Sequence, residues 1–169
     1  MHTPQGSKSL LEYLRTVPDP RRRQGRRYPL AGLLAFLILA ALHGKNSLHG
    51  MWRWAQVHQR PLLRPLDLWA TGRLPTLTTL WNLLQRLDVR ALERAVHAWM
   101  DDWGMEEAWH RERKSPWKIE DTELPALQTI TAIAQQVEWV IRQRGIEGNT
   151  LTAALRVLTE PLPESQSER

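Results

Sequence analysis

The chain of 169 residues has no cysteine and only one phenylalanine. Without thiols there are no disulfides, no thiolate metal sites and no cysteine nucleophile, and the composition fits a reducing compartment, the cytoplasm. A membrane-crossing run is also missing. The main apolar stretch, Leu30 to Leu42, has 13 residues, where a spanning helix needs about 20. It lies well inside the chain and is followed by His43-Gly44-Lys45-Asn46 rather than by a small-residue cleavage site, so it reads as a buried helix and not as a signal peptide. The histidines (His2, His43, His49, His58, His97 and His110) show no HExxH or other metal-ligand spacing, and there is neither a GxSxG motif nor a Gly-rich phosphate loop. The adjacent pairs Asp101-Asp102 and Glu106-Glu107 point in different directions on a helix and read as solvated charge.

Acidic residues are scarce in one part of the chain only. Residues 1–100 carry 15 Lys and Arg against 5 Asp and Glu, a net +10, whereas residues 101–169 carry 8 against 13, a net −5. The positive field therefore belongs to the first part, which makes it the candidate for a nucleic-acid partner. An anionic membrane surface is the weaker alternative, since no long basic amphipathic helix supports it.

The centre of that field is the segment Pro18-Asp19-Pro20-Arg21-Arg22-Arg23-Gln24-Gly25-Arg26-Arg27-Tyr28-Pro29. Arg21, Arg22, Arg23, Arg26 and Arg27 form a dense cluster, and guanidinium forks match phosphate oxygens in pairs. The flanking prolines keep the cluster out of a helix interior, and the apolar run that follows pins it to a core. A solvated arginine surface without a ligand is the plainer alternative. Nine tryptophans offer stacking surfaces for bases, though a tryptophan more often fills a core or interface.

The pattern elsewhere is helical. Ser9 to Thr16 reads as a short helix, Leu30 to Leu42 as a buried one ended by Gly44, and Ser47 to Val57 as a third. Residues 58–75, with Pro61, Pro65, Gly72 and Pro75, read as a turn-rich connection. Thr76 is a capping residue for a helix through Leu87, with Leu77, Leu80, Trp81, Leu84 and Leu87 on its apolar side. The opposite side carries Thr78, Thr79, Asn82, Gln85 and Arg86, side chains that hydrogen-bond base edges and phosphates and equally suit a plain solvent face. Asp88 caps a further helix through Trp103, whose Val89, Leu92, Val96, Trp99 and Trp103 form a seam for a bundle or for a partner helix. Residues 105–124 form a mixed-charge linker. Between Leu127 and Arg144 the periodicity predicts one helix, with Pro125 near its start and Gly145 after its end, while Thr129-Ile130-Thr131 and Val137-Glu138-Trp139-Val140-Ile141 have the composition of two hairpin strands. Thr150 to Leu158 reads as a last amphipathic helix, and the polar tail from Pro161 as disordered.

These segments together resemble a known family. Leu10-Leu11-Glu12-Tyr13-Leu14, then Val17 through Leu30, then the long apolar helix, then Leu74-Pro75-Thr76-Leu77-Thr78-Thr79-Leu80 and Leu84-Gln85-Arg86-Leu87-Asp88, resemble the N-terminal segment of bacterial insertion-sequence transposases of the H-repeat-associated (ISAs-type) group. The resemblance covers residues 9–104. It implies a helical, helix-turn-helix-like DNA-binding domain over residues 1–104. Residues 105–169 would then be a linker and the truncated start of a ribonuclease-H-like α/β catalytic domain, a short β-hairpin and a helix, with a disordered tail. In complete relatives three carboxylates hold two Mg²⁺ ions for attack on phosphodiesters. Here Trp117-Lys118-Ile119-Glu120-Asp121 stands near the first catalytic strand, but Thr122 and Glu123 replace the expected Gly and Lys, and no second strand with Asp and no distant Glu follow.

The expectation is thus a mostly α protein that binds the double-stranded DNA of insertion-sequence ends, with phosphates met by the five arginines and bases by the helix from Thr76. No catalytic residue, metal site or cofactor is assigned, Mg²⁺ being expected only in a complete family member. Two rival readings stand beside it. One is an active transposase completed by another chain. The other is an interaction fragment that self-associates or pairs with a full-length transposase through the seam.

Overall fold

A computed structural model of the chain describes residues 8–23, 26–68, 72–102, 123–146 and 150–161. Eight helices form among the described residues, and no strand: α1 (Leu10–Leu14), α2 (Leu30–Leu42), α3 (Leu48–Val57), α4 (Gln59–Leu63), α5 (Leu77–Arg86), α6 (Val89–Asp102), α7 (Pro125–Arg144) and α8 (Thr150–Thr159).

Side-chain caps set four of the eight starts. The hydroxyls of Ser9, Ser47 and Thr76 accept the backbone N–H of Glu12, Gly50 and Thr79 at 3.3, 3.0 and 3.3 Å, and Asp88 Oδ1 accepts that of Ala91 at 3.0 Å. Each such cap satisfies a helix N–H that would otherwise lack a partner, for about 1 kcal/mol. Glycines in the left-handed region follow two of the ends, Gly44 at φ 85° after α2 and Gly145 at φ 59° after α7.

Helix α2 is the axis of the fold. Every residue from Leu30 to Ala41 is buried, as a helix that is apolar on all sides must be. Helix α7 packs most extensively against it, and α1, α3 and α8 pack on its other sides. Helix α6 lies against α1 and α7, and α5 against α3 and α7. The buried side chains form one continuous cluster that runs from Leu10 to Leu158. Each fully buried leucine contributes about 1.5–3 kcal/mol to it. One close approach depends on a missing side chain: a Cβ on Gly32 would overlap the carbonyl oxygen of Leu66, where the segment after α4 crosses α2. That crossing also carries Asp67 at φ 62°, left-handed without being glycine.

Two expectations are corrected by this architecture, and a choice left open by the sequence is decided. The β-hairpin expected between Leu127 and Arg144 is instead the single helix α7. Its buried set, Leu127, Ile130, Ile133, Ala134, Val137 and Val140, follows the helical spacing of three and four. The hydroxyl of Thr131 donates to Leu127 O at 2.9 Å, so a β-branched residue is satisfied inside the helix. Strand propensity differs by about 1 kcal/mol at most, and burial of the whole stripe outweighs it. Second, the turn-rich connection contains the short helix α4, with Pro61 inside its first turn, where a proline costs no hydrogen bond. Of the two uses open to the α6 seam, a bundle or a partner helix, the structure has the bundle: Leu92, Val96 and Trp99 are fully buried in the core, and Val89 is half-buried. Trp103 lies outside the described residues, as do the 105–122 linker, Glu120, Asp121 and the tail from Leu162.

Candidate functional site

The arginine segment is ordered around one acidic side chain. Asp19 stands between Pro18 and Pro20 and accepts the backbone N–H of Arg21 at 3.0 Å, a side-chain-closed turn. Its carboxylate then takes the Arg21 guanidinium in a two-pronged pair, from Nε at 2.9 Å and from Nη2 at 2.8 Å. Nη2 also donates to the carbonyl of Tyr28 at 2.6 Å, which ties the start of the loop to its end. Arg26 adds a second tie, from Nε to Arg21 O at 2.9 Å and from Nη2 to Asp19 O at 3.2 Å. Burial works against ionisation of Asp19, but the hydrogen bonds and charge of Arg21 and the charge of Arg26 outweigh it and hold the carboxyl below its ordinary value.

The five arginines therefore have different situations. Arg21 is only 9% exposed and is committed to the loop's internal bonds, apart from its Nη1, which is buried with no hydrogen-bond partner among the described residues. Arg26 is half-exposed and bonded within the loop. Arg22, Arg23 and Arg27 are exposed.

On α5 the candidate residues also divide. Thr78, Asn82, Gln85 and Arg86 are exposed, and Thr79 is half-buried with its hydroxyl 2.9 Å from that of Thr76. Thr79, Asn82, Leu83 and Arg86, spaced three, one and three apart, make a stripe at the edge of the buried face. This stripe faces the arginine loop across a cleft of about 450 Å³, lined by Arg21, Arg22, Thr79, Asn82, Leu83 and Arg86. Five of the ten residues expected to touch DNA thus line one cavity, although about 60 positions separate the two segments in the sequence. Thr78 and Gln85 are not in its lining, nor are Arg23, Arg26 and Arg27.

The cleft is chemically one-sided. Guanidiniums stand on both walls, Thr79 and Asn82 add neutral polar groups, Leu83 adds an apolar patch, and no carboxylate lines it among the described residues. Such a surface attracts anions and presents planar forks to phosphate oxygens. Metal chemistry has no comparable constellation: the described residues hold no group of three His, Asp or Glu side chains able to bind an ion.

Two features were not singled out in the sequence. Asp19 is the keystone of the loop, and its signal was the Pro-Asp-Pro-Arg order, an acidic residue two positions before the first arginine. Leu83, buried at the base of α5, falls outside the apolar positions assigned from periodicity. His43 and His58 both stack on the ring of Trp54, with centroids 4.8 and 4.7 Å away, and their Nδ1 atoms meet Leu39 O and Trp54 O at 2.7 and 2.9 Å.

No helix among the described residues is long and apolar enough to cross a membrane. No curated protein and no solved structure matches the chain. A family model does match, that of the DDE_Tnp_1-associated domain found in DDE transposases, and it spans residues 11–100, α1 to α6 with the arginine loop and the cleft. The match takes in more than half of the sequence, and the chain belongs to the DDE_Tnp_1-associated family.

Proposed function

We propose that the chain is a DNA-binding portion of an insertion-sequence transposase, and that the cleft between the arginine loop and α5 is its contact surface. The observation that carries this reading is the meeting of Arg22 and Arg86, from distant parts of the sequence, on opposite walls of one cleft together with Thr79 and Asn82. Arg22 and Arg86 take phosphate oxygens, and the exposed Arg23 and Arg27 extend the positive surface along the loop. Asn82, an amide with both donor and acceptor, is the candidate for a base edge. Gln85 and Thr78 lie on the adjoining exposed face of α5 and are proposed as flanking contacts. The five-arginine cluster is thus divided in role: Arg21 builds the loop, Arg26 braces it, and the others meet the ligand. The ISAs-type assignment is part of the proposal and rests on the motif at residues 18–30.

The test is a titration of the purified chain against a duplex from an insertion-sequence end and against a random duplex, at several salt concentrations. Four phosphate contacts, by Arg22, Arg23, Arg27 and Arg86, give a slope of log K against log salt of about −3.6. The end duplex should bind more tightly than the random one. Binding that is weak and independent of salt would reject the proposal.

A further inference from the structure

The cleft is larger than a phosphate contact needs. A side chain that only neutralises a backbone phosphate works from an open surface, as Arg23 and Arg27 do at the loop's outer edge. Here about 450 Å³ lies between two walls, within the range of small-ligand pockets. Its lining has three kinds of group. Arg22 and Arg86 supply charge from opposite sides. Arg21 supplies a buried guanidinium that Asp19 and Tyr28 hold rigidly, and its Nη1 still lacks an acceptor. Asn82 and Leu83 supply an amide and an apolar patch one residue apart. The Arg21 Nη1 is closed off from solvent, so Arg21 serves the cleft as a fixed wall and not as a direct donor, and the ligand's oxygens are left to Arg22 and Arg86.

We propose that this cleft is a pocket for one unpaired nucleotide of DNA. It deepens the reading of the cleft as a nucleic-acid surface and rests on that reading. The phosphate sits between Arg22 and Arg86. The base lies against Leu83 and turns an edge to the Asn82 amide. An asparagine amide pairs best with adenine, donor to N7 and acceptor from the N6 amino group. A base inside a duplex can show Asn82 only its groove edge, whereas a base that lies flat against Leu83 must be unpaired and unstacked, so the occupant of the pocket is a nucleotide at a strand end or in a single-stranded stretch.

The experiment is a calorimetric titration of the full chain with deoxyadenosine 5′-monophosphate, with inorganic phosphate and with deoxyadenosine. Wild type should bind the monophosphate saturably and more tightly than either fragment. Arg86→Gln should weaken both the monophosphate and phosphate by roughly 10- to 100-fold, the effect of one charge-assisted hydrogen bond. Asn82→Ala should remove the advantage of the monophosphate over phosphate and leave phosphate binding as it was. Both side chains are exposed, so both variants should melt with the wild type, and circular dichroism checks this. A monophosphate that binds no better than phosphate, or variants that bind like wild type, would overturn the pocket. A duplex titration run beside it separates the two ideas. Duplex binding without monophosphate binding rejects the pocket alone, and monophosphate binding without duplex binding rejects the DNA-binding reading alone.

Discussion

Replacing Asp19 with asparagine tests whether the arginine loop is built around a single carboxylate. The substitution keeps size and one acceptor oxygen but removes the charge opposite Arg21. Arg21 is 9% exposed and Asp19 18%, so the pair is largely, though not fully, withdrawn from water. Breaking a fully buried pair costs about 3–5 kcal/mol. The residual exposure and the retained acceptor lower this, and Asp19→Asn should cost about 2–3 kcal/mol. For a chain of this size each kcal/mol moves Tm by about 2–4 °C, so the loss should be roughly 4–12 °C. The pH dependence gives a sharper check. The Asp19 carboxyl is held below its ordinary value of 3.8 in the folded protein. A depressed folded value means stability that is present above the unfolded pKa and lost as pH falls through the folded one. The gap between wild type and Asp19→Asn should therefore be constant from neutral pH down to about 5 and should close below about 4. Urea unfolding at pH 7, 5 and 3.5, followed by tryptophan fluorescence, measures it. A loss under 0.5 kcal/mol at pH 7, or a gap that does not narrow in acid, would refute the keystone role.

The other predictions concern the cleft and the axis of the fold. Arg22→Ala and Arg86→Ala should each make the salt slope of DNA binding shallower by about 0.9 and leave urea unfolding within about 0.5 kcal/mol of wild type; Arg21→Ala should lower stability instead, because it strands Asp19. Asn82→Ala should reduce the preference for end sequences over random duplex by about 1–3 kcal/mol, measured by competition, whereas Gln85→Ala, outside the cleft, should reduce it less. Gly32→Ala should destabilise by about 3 kcal/mol, the upper end of ordinary overpacking, because the new methyl meets the backbone carbonyl of Leu66 rather than a side chain that can move; an unchanged unfolding midpoint would refute the close approach.

Signals are legible in the sequence where the physics is local. Thr76 and Asp88 cap the helices they are expected to cap, because a cap needs only a short polar side chain at the right place; Ser9 and Ser47, expected as the first residues of their helices, are caps as well. Helix α2 was legible from its unbroken apolar run, and its bounds agree with the structure. What was misread depends on partners far along the chain. Residues 127–144 carry both a helical period and strand-like composition, and the choice was settled by the face of α2 that α7 covers. The resemblance to a complete transposase favoured the hairpin, yet these residues pack on the N-terminal helices as α7. In the same way the α6 seam was visible as a stripe, but only the position of α1 and α7 shows that it is filled from within. Residue type alone marks the ten candidate DNA contacts in the sequence. That five of them share a cleft was invisible, since the spacing between the loop and α5 is a product of the bundle.

The difference among the arginines bears on how a loop without regular structure can present charge to a defined place. Like charges at close range repel, by about 1 kcal/mol per pair at 4 Å in water and by more near a protein surface. Five arginines in seven residues would by themselves favour an extended, variable loop. Asp19 changes this balance twice, by neutralising one charge and by closing a turn. The guanidinium it holds reaches Tyr28 O, next to Pro29 and the start of α2, so the loop ends are fixed to the most buried helix of the fold. Arg22 is thereby placed opposite Arg86 before any ligand arrives. Less of the binding free energy is then spent on ordering the loop, and the distance between the two walls is set by the bundle rather than by the ligand. This leads to a distinction that the Asp19→Asn variant also makes measurable. If the keystone matters chiefly for position, that variant should bind DNA less selectively although it is more positive by one charge. If it matters only for stability, the extra charge should strengthen binding to every duplex alike.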